Sequence, residues 1–247
     1  MKHVFFDLDN TLMLSRTVMP IERQPVFKKL CEKEDVIIVS GQQEKQIRVQ
    51  IPPAIGARFF ILAQTGNDAI DKDGKELWKE SFTGEQTAAV LELVETIKKE
   101  LNLTVKDPDD LVEERGSQIS YSPIGHNEDL QKKYAFDPST DLRRNMIGRH
   151  LSDVVRLNKI GVDVVPGGTT CFDFFLHGKN KGYNVNRLIK QMGWRMPECV
   201  YVGDALFHGG NDETVIGIVP TQPVTGPDQT FEYIEYVLAG EKPSVVN

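Results

Sequence analysis

The chain has 247 residues, 40% of them hydrophobic, and a formal net charge of -7. This length and apolar content suffice to bury one sizeable core, or one core with a smaller attached lobe. The acidic balance disfavours binding to nucleic acid or to an anionic membrane, because like charges repel. It still permits a small anionic substrate, since local cations or a bound metal ion can dominate one cleft. We therefore expect neither nucleic acid nor a membrane as a partner.

The cysteines, Cys31, Cys171 and Cys199, lie far apart in the sequence. Their odd number and wide spacing fit neither a disulfide framework nor a zinc site. We predict that all three are reduced and packed as small hydrophobic side chains. The first residues show no signal-peptide pattern, and no apolar run is long enough to span a membrane. The expected location is the cytoplasm.

The first part of the chain alternates short apolar runs with a helical pattern. Strands are predicted at Val4–Phe6, Val36–Val39 and Phe59–Leu62, because each is a short apolar run that stops at polar or turn residues. A helix is predicted over Ile21–Glu34, where apolar residues recur at near-helical spacing. This alternation is typical of a doubly wound α/β domain with a parallel sheet.

The pattern changes in the middle of the chain. The elements predicted there are, in order, a helix after Thr83, a strand at Ile119–Tyr121, a helix over Leu142–Leu157, and strands at Val162–Val165 and Cys171–Phe175 joined by a turn at Pro166-Gly167-Gly168. The α/β pattern then returns with an amphipathic helix, Tyr183–Met192, and a buried strand, Val200–Val202. We predict a Rossmann-like doubly wound core from residues 1–81 and 177–247, with an α+β domain, residues 82–176, inserted in it.

Two carboxylates follow the first predicted strand, in the segment Asp7-Leu8-Asp9-Asn10-Thr11. Residues two apart at the end of a strand can point the same way, and the carboxyl ends of parallel strands form the binding crevice of such a sheet. Carboxylates placed together there must share a proton or bind a cation. Magnesium prefers one or two carboxylates with water and phosphate oxygens, so the segment indicates a metal-assisted phosphate site. A solvated Asp-rich turn is the alternative interpretation.

A second acidic segment follows the predicted strand Val200–Val202. Asp204 comes directly after Gly203, and Asp212 lies one tight turn later, after Gly209-Gly210-Asn211. Glycines permit the close backbone approach that a crowded metal site requires. An acidic residue at the end of a second buried strand therefore predicts further oxygen ligands at the same edge of the sheet.

Two more segments are candidates for contact with a phosphoryl group. Ser40-Gly41 ends the strand Val36–Val39, where a hydroxyl and free backbone N–H groups can hold phosphoryl oxygens. A plain Ser-Gly turn is the alternative there. Lys181, followed by Gly182, precedes a predicted helix and could neutralise both a phosphate and a nucleophile. A surface lysine is the alternative at that position.

These four segments, in this order, resemble the signature of the haloacid dehalogenase superfamily: an Asp-x-Asp-x-Thr strand end, a Ser or Thr, a Lys, and a paired acidic segment. The resemblance implies that Asp7 is the nucleophile that attacks phosphorus and that Asp9 is the general acid/base. The phosphoryl contacts that it implies are Thr11, Ser40, Gly41 and Lys181. The Mg²⁺ ligands that it implies are Asp7, the backbone carbonyl of Asp9, Asp204 and Asp212.

The likeness extends to the eukaryotic-type phosphomannomutases, whose inserted domain is a type C2B cap. The shared segments are Gly-Gly-Asn-Asp, Ser122-Pro123-Ile124-Gly125 after Arg115-Gly116, and Gly167-Gly168 followed by Cys171-Phe172-Asp173-Phe174. In that family, cap arginines hold the distal phosphate of the substrate. The matching positions in this chain are Arg115, His126 and Lys133, and the resemblance implies that Asp173 contacts sugar hydroxyls.

The chain departs from the mutase pattern at several positions. His126 and Lys133 replace arginines, and neither side chain offers the arginine fork. Cys171 replaces a serine and Asn10 replaces a glycine. Ser40 stands where the mutases often have glycine, which makes the core more similar to that of a phosphatase.

We predict magnesium-dependent phosphoryl transfer on a small phosphorylated sugar through an aspartyl-phosphate intermediate, with a phosphomannomutase-like enzyme as the leading hypothesis. A sugar-phosphate phosphatase is the alternative, because a weakened distal-phosphate site harms a mutase more than a hydrolase. A catalytically silent phosphate-binding module is the third hypothesis. The absence of Asp7, Asp9 or Asp204 would favour it, and all three are present. A homodimer formed through the cap is compatible with the resemblance.

Overall fold

The computed structural model describes residues 2–240. They form two compact units. The core unit contains the residues up to Lys79 and those from Lys179 onward, and the inserted unit contains Glu80–Gly178. The insert predicted from the sequence, residues 82–176, begins and ends two residues inside the inserted unit. The role of this unit as a specificity cap stays a prediction.

Helices and strands follow one another in both units. The first part of the core unit contains β1 (His3–Asp7), α1 (Gln24–Lys33), β2 (Asp35–Val39), α2 (Glu44–Gln50), β3 (Phe60–Ala63), β4 (Asp68–Ile70) and β5 (Glu76–Lys79). The inserted unit contains α3 (Gly84–Leu101), β6 (Val112–Glu114), β7 (Gln118–Tyr121), α4 (Leu130–Phe136), α5 (Asp141–Arg149), α6 (Leu151–Lys159), β8 (Val162–Gly167) and β9 (Cys171–Leu176). The core unit resumes with α7 (Lys181–Met192), β10 (Cys199–Gly203), β11 (Thr221–Pro223) and α8 (Pro227–Ala239).

The sheet of the core unit has the order β11-β10-β1-β2-β3-β4-β5 within residues 2–240. The strands from β11 to β3 are parallel, and β4 and β5 extend the sheet in antiparallel fashion. Val4 and Phe6 of β1 enter one apolar cluster, and Phe5 enters the cluster on the opposite face. Because both faces are buried, the strands are continuous apolar runs rather than alternating ones. The predicted α/β class with a doubly wound sheet is confirmed.

The inserted unit has an antiparallel sheet in the order β6-β7-β9-β8. Ile119 and Phe174 lie in register on β7 and β9, and both belong to an apolar cluster that includes Val90 and Val94 of α3. Successive side chains of a strand point to opposite faces. Polar residues such as Ser120 therefore lie on the face of this sheet that does not enter the apolar cluster.

Several predicted element boundaries were wrong. The helix predicted over Leu142–Leu157 is two helices, α5 and α6, because the backbone turns at His150 (φ -98°, ψ 30°). Gly148, a poor helix former, lies just before this turn. The predicted turn at Pro166-Gly167-Gly168 begins later, since β8 continues to Gly167 and pairs with Cys171 there.

The cysteines are all free, as the sequence predicted. Cys199 belongs to an apolar cluster of the core unit, and Cys31 packs against the other one. The prediction of apolar packing was wrong for Cys171, whose Sγ lies 3.8 Å from Nδ1 of His126 and not in a hydrophobic cluster. Among residues 2–240, no helix combines the length and apolarity that a membrane crossing needs.

Candidate active site

The acidic segments meet at one edge of the core sheet because of its register. Phe6 of β1 lies opposite Val202 of β10, and Asp7 lies opposite Val39 of β2. Asp7 therefore ends β1 beside the point where β10 runs into Asp204 and β2 runs into Ser40. This is the carboxyl edge of the parallel strands, where open α/β sheets bind their ligands.

Three carboxylates and one ammonium group form the centre of this edge. One oxygen from each of Asp7, Asp204 and Asp212 lies within 4.8 Å of the others. Nζ of Lys181 donates to Oδ1 of Asp7 at 2.5 Å and to Oδ1 of Asp212 at 2.7 Å. Lys181, Asp7 and Asp212 are buried, and Asp204 is half-buried. The structure thus brings together residues from both ends of the chain that the sequence had singled out.

Two glycines make this close packing feasible. A Cβ atom on Gly182 would lie 1.8 Å from the backbone oxygen of Thr214, so only glycine fits directly after Lys181. A Cβ atom on Gly203 would lie 2.4 Å from Oδ2 of Asp212. Both contacts are far shorter than real Cβ contacts. The glycines therefore let the start of α7 and the end of β10 approach the acidic cluster.

The electrostatic balance of the cluster is negative. Burial raises the pKa of Asp7 well above its usual range, although the Lys181 ammonium opposes the shift. Burial and the charge of Asp212 also raise the pKa of Asp204. Burial alone would lower the pKa of Lys181, but the charges of Asp212 and Asp7 outweigh it and raise that pKa. Three carboxylates face a single ammonium group here, so the cluster favours an additional cation.

The arrangement around Asp212 fits a divalent cation. The phenol of Tyr201 donates to Oδ1 of Asp212 at 2.6 Å, and burial keeps that phenol protonated by raising its pKa. Oδ2 of Asp212 is buried and has no hydrogen-bond partner in the described part of the chain. A buried charged oxygen without a partner is costly. A cation held between Asp7, Asp204 and Asp212 would satisfy it.

The carboxylate of Asp9 has different surroundings from that of Asp7. It accepts hydrogen bonds from the backbone N–H of Arg16 at 2.8 Å, from Nε2 of Gln42 at 2.6 Å and from Nε2 of Gln50 at 3.4 Å. Its side chain is not part of the acidic cluster of Asp7. The sequence analysis named neither glutamine. The sequence indicated a possible role for Gln42 only through its position directly after Ser40-Gly41.

The predicted phosphoryl contacts are partly engaged with the protein itself. The hydroxyl of Thr11 accepts from the backbone N–H of Asp204 and donates to Oδ1 of Asp204, both at 3.0 Å. Oγ of Ser40 is buried and accepts from the backbone N–H of Gln42 at 3.1 Å. Gly41 lies beside Ser40 at the end of β2. Phosphate contacts by these residues stay predictions. The hydrogen bonds of Thr11 to Asp204 hold that residue beside β1.

In the inserted unit, the predicted substrate residues form a connected polar group. Arg115 donates to Oε2 of Glu113 from Nε at 2.9 Å and from a terminal nitrogen at 2.5 Å. Lys133 is buried and donates to the backbone oxygen of His126 at 2.9 Å. It is therefore not a solvated surface charge, unlike its exposed neighbour Lys132. The ring of His126 lies 3.1 Å from the backbone oxygen of Ser120. Asp173 accepts from Oγ of the same serine at 2.6 Å.

His126 and Cys171 influence each other within this group. Burial alone would lower the pKa of His126, but the hydrogen bond and charge of Cys171 and the charge of Glu113 outweigh it and raise that pKa. Burial would raise the pKa of the Cys171 thiol, but the hydrogen bond to His126 lowers it. The phosphomannomutase pattern has an arginine at the position of His126 and a serine at the position of Cys171. An interacting histidine and thiol thus replace those two side chains in this chain.

The comparison with protein families shows to which family the chain belongs. The model of the family described as eukaryotic phosphomannomutase matches residues 24–240. The chain belongs to this phosphomannomutase family. It is accordingly an enzyme of the haloacid dehalogenase superfamily that acts in phosphoryl transfer, as the sequence predicted.

Individual members of the phosphomannomutase family show how far the chain has diverged. It is 27% identical to phosphomannomutase 1 of Dictyostelium discoideum over 246 residues, which cover 93% of each chain. It is 26% identical to a phosphomannomutase of Triticum aestivum over 254 residues, which cover 96% of this chain and 95% of the relative. The likeness thus extends over both units, whereas most individual residues differ.

Solved structures share the fold at still lower identity. An IMP-bound, N-terminally truncated IMP-nucleotidase of Plasmodium falciparum has a TM-score of 0.69 and 14% identity, over 97% of this chain and 68% of that one. A haloacid dehalogenase-like hydrolase of Bacteroides thetaiotaomicron has a TM-score of 0.61 and 14% identity, over 96% of this chain and 99% of that one. These neighbours confirm the superfamily fold for this phosphomannomutase-family chain.

Proposed function

We propose that the chain catalyses magnesium-dependent phosphoryl transfer on a phosphorylated sugar, in the manner of a phosphomannomutase, through an aspartyl phosphate on Asp7. The observation that carries the proposal is the buried contact of Lys181 with Asp7 and Asp212 inside the acidic cluster. A nucleophilic carboxylate must meet a phosphoryl group of the same charge. Lys181 supplies a fixed cation at that point, as phosphoryl transfer requires.

The proposed roles of the core residues follow from their positions. Asp7 attacks phosphorus, and Lys181 holds this carboxylate and screens its charge. Asp7, Asp204 and Asp212, with the backbone carbonyl of Asp9, would hold Mg²⁺, which when bound neutralises charge and orients phosphoryl oxygens. Tyr201 and Thr11 keep Asp212 and Asp204 in place through the hydrogen bonds described above.

Asp9 is the proposed proton carrier. It would give a proton to the leaving oxygen as the bond between phosphorus and that oxygen breaks. It would then take a proton from the hydroxyl group that attacks the phosphorylated Asp7. Splitting one difficult transfer into two displacements in this way lowers each barrier, and a positioned acid/base typically contributes about 10²–10⁴-fold.

A sugar-phosphate phosphatase is the second candidate function, and the polar group of the inserted unit favours it. Arg115 is engaged by Glu113, and His126 stands where the family has an arginine. A mutase must hold a bisphosphate in two orientations, whereas a phosphatase needs only the core site. The difference between the two lies in the acceptor, which is a second sugar hydroxyl in one case and water in the other.

One experiment separates these functions. The protein is incubated with a panel of sugar monophosphates, with and without a hexose bisphosphate, and both free phosphate and isomerised sugar phosphate are measured. Isomerised product that depends on the bisphosphate supports the mutase, and free phosphate alone supports the phosphatase. Asp7→Asn should abolish both products. Retention of a tenth of wild-type kcat would contradict a covalent role for Asp7, since that loss corresponds to only about 1.4 kcal/mol.

A further inference from the structure

The carboxyl of Asp9 is held by two glutamines to which no role has been assigned. Gln42 and Gln50 both direct an amide nitrogen at it, one at each carboxylate oxygen. We propose that Gln42 and Gln50 are positioning residues that orient Asp9 for proton transfer to the leaving oxygen and from the attacking hydroxyl group. This inference rests on the proposed function, in which Asp9 is the acid/base.

Gln42 is well placed for this task because its own backbone is fixed on both sides. Its N–H donates to Oγ of Ser40 at 3.1 Å, and its carbonyl accepts from the backbone N–H of Gln64 at 2.9 Å. The residue is 6% exposed. From this fixed and buried backbone, the side chain reaches Oδ2 of Asp9 at 2.6 Å. The turn after β2 therefore connects the predicted phosphoryl contact, Ser40, to the proposed proton carrier.

Gln50 approaches Asp9 from the end of α2. Its carbonyl accepts from the backbone N–H of Met19 at 2.8 Å, and its Nε2 lies 3.4 Å from Oδ1 of Asp9. Its Oε1 is buried and has no hydrogen-bond partner within residues 2–240. Rotation of this amide would exchange its donor for its acceptor beside Asp9. A glutamine can therefore contact a carboxyl group that gives and takes a proton, whereas a lysine could only donate.

Orientation matters because proton transfer requires hydrogen-bond geometry. The side chain of an aspartate rotates about two bonds, and a general acid must point a particular oxygen at the leaving atom. The backbone N–H of Arg16 and the amide of Gln50 both lie on Oδ1, and Gln42 lies on Oδ2. With donors on both oxygens, the plane of the carboxyl is defined. Removing either glutamine should let it turn.

The leaving group distinguishes this role from a structural one. A poor leaving group needs a proton when its bond to phosphorus breaks, whereas p-nitrophenolate leaves readily without one. A residue that orients the proton donor should therefore affect poor leaving groups selectively. Phenyl phosphate and p-nitrophenyl phosphate make a matched pair of probes, since they have nearly the same size and neither has a second phosphate to bind.

The experiment compares Gln42→Met and Gln50→Met with wild-type protein and with Gln46→Met. Methionine keeps the length of glutamine but removes its hydrogen bonds. Gln46 is the control because it lies in α2 with Gln50, and its amide oxygen accepts from the backbone N–H of Gln43 at 3.0 Å. The measured quantity is kcat/KM with Mg²⁺ present, which reports the first displacement. Titration with inorganic phosphate checks independently that the core site still binds.

We expect each test variant to lose about tenfold or more of kcat/KM on phenyl phosphate, which is a part of the about 10²–10⁴-fold that a positioned acid/base contributes. The loss on p-nitrophenyl phosphate should be no more than about twofold, and phosphate binding should be unchanged. Equal losses on both substrates, or no loss on either, would overturn the positioning role. If Gln42→Met does not fold, Gln42→Ala replaces it in the same comparison.

Asp9→Asn separates failure of this inference from failure of the proposed function. If Asp9→Asn loses activity selectively on phenyl phosphate and the glutamine variants do not, only the positioning role is wrong. If Asp9→Asn shows no such selectivity, the acid/base step of the proposed function is wrong, and the inference fails with it. A selective loss in Asp9→Asn and in both glutamine variants, but not in Gln46→Met, supports the inference.

Discussion

Nζ of Lys181 lies 2.5 Å from Oδ1 of Asp7, and their side chains are only 3% and 6% exposed. An ion pair in such surroundings is sensitive to the loss of one partner, because the remaining charge has no water to solvate it. In this cluster the consequence is larger, since Asp212 shares the same ammonium group. Lys181 therefore stabilises the site as well as serving the proposed chemistry.

Lys181→Met should destabilise the core unit by about 3–5 kcal/mol in metal-free buffer. It should also lower kcat by at least about 10²-fold, because a fixed charge opposite the transferred group is lost. Urea unfolding followed by tryptophan fluorescence measures the first effect, since Trp78 and Trp194 both belong to the core unit. Lys190→Met, at an exposed position of the same helix, is the control. Equal stabilities of the two variants would show that the contacts of Lys181 with the buried carboxylates do not stabilise the core unit.

Removal of divalent metal should abolish turnover, and Mg²⁺ should restore it. Ca²⁺ should restore it poorly, because its larger and looser coordination misplaces the ligands. Mg²⁺ should also raise the Tm of the metal-free protein, since it binds only the folded state. In Asp212→Asn this rise should be much smaller. Full activity after exhaustive chelation would exclude the proposed metal site.

Gly182→Ala should destabilise the core unit, because the new Cβ would meet the backbone oxygen of Thr214 at 1.8 Å. The start of α7 would have to move, and Lys181 would move with it. We expect a loss of more than about 2 kcal/mol, in the range of overpacked cores, and a fall in kcat. The control is Gly148→Ala in α5, where nothing lies within 4 Å of the added atom. That change should be neutral or stabilising, because alanine favours helices. Similar unfolding curves for both variants would argue against the steric explanation.

The buried pair of Asp137 and Arg143 should make the inserted unit sensitive to acid. Nε of Arg143 donates to Asp137 at 2.8 Å, and the backbone N–H groups of Leu142 and Arg143 donate at 3.1 and 3.2 Å. Burial would raise the pKa of Asp137, but the hydrogen bonds from Arg143 and from the two backbone groups outweigh it and lower that pKa.

A carboxyl with a lowered pKa in the folded state stabilises the fold fully above its unfolded pKa, ordinarily 3.8 for this residue. That contribution disappears as the pH falls below this value and through the folded-state pKa. The protection factors of amide hydrogen exchange in the inserted unit, which correct for the slower chemical exchange in acid, should therefore fall below about pH 4. In Asp137→Asn these protection factors should be low already at pH 7, since Arg143 loses its counter-charge. Unchanged protection in this variant at pH 7 would mean that the pair does not support the unit.

Arg115→Ala should raise KM for a phosphorylated sugar and suppress any mutase activity. It should spare hydrolysis of p-nitrophenyl phosphate, which has no distal group to bind. Arg144→Ala, at an exposed position of the inserted unit, is the control and should change neither. Equal losses on both substrates would assign Arg115 to the support of the fold through Glu113. The mutase hypothesis would then rank below the phosphatase.

The sequence predicted the core elements well because their signals are local. An apolar run such as Val36–Val39 can be buried on both faces only in the middle of a sheet, and Ser40 marks its end. Asp7 ends β1, Lys181 starts α7, and Asp204 follows β10 with Asp212 one turn later, so their order along the chain indicated a shared edge.

The contacts of Asp9 and Arg143 could not be predicted from the sequence, because they join residues that lie far apart along the chain. Gln42 and Gln50 carry no motif, and only the turn after β2 and the end of α2 bring their amides to Asp9. Arg143 looked like a charge on a helix, yet it is fully buried and donates to the backbone oxygen of Gly167 at 2.8 Å. The break at His150 was missed because the apolar pattern continues through it.

The position of β1 between β2 and β10 has a consequence for the synthesis of the chain. β2 emerges from the ribosome soon after β1, but Cys199, which pairs with His3, emerges only after the whole inserted unit. Until then one edge of β1, a buried strand with Val4-Phe5-Phe6 at its centre, has no neighbour, and such an edge is a template for aggregation. The inserted unit is continuous in the sequence and can fold as a unit when it emerges. A nascent chain would thus carry a folded inserted unit while β1, which ends in Asp7, still lacks its neighbour β10. We expect the chain to need a chaperone most during this period.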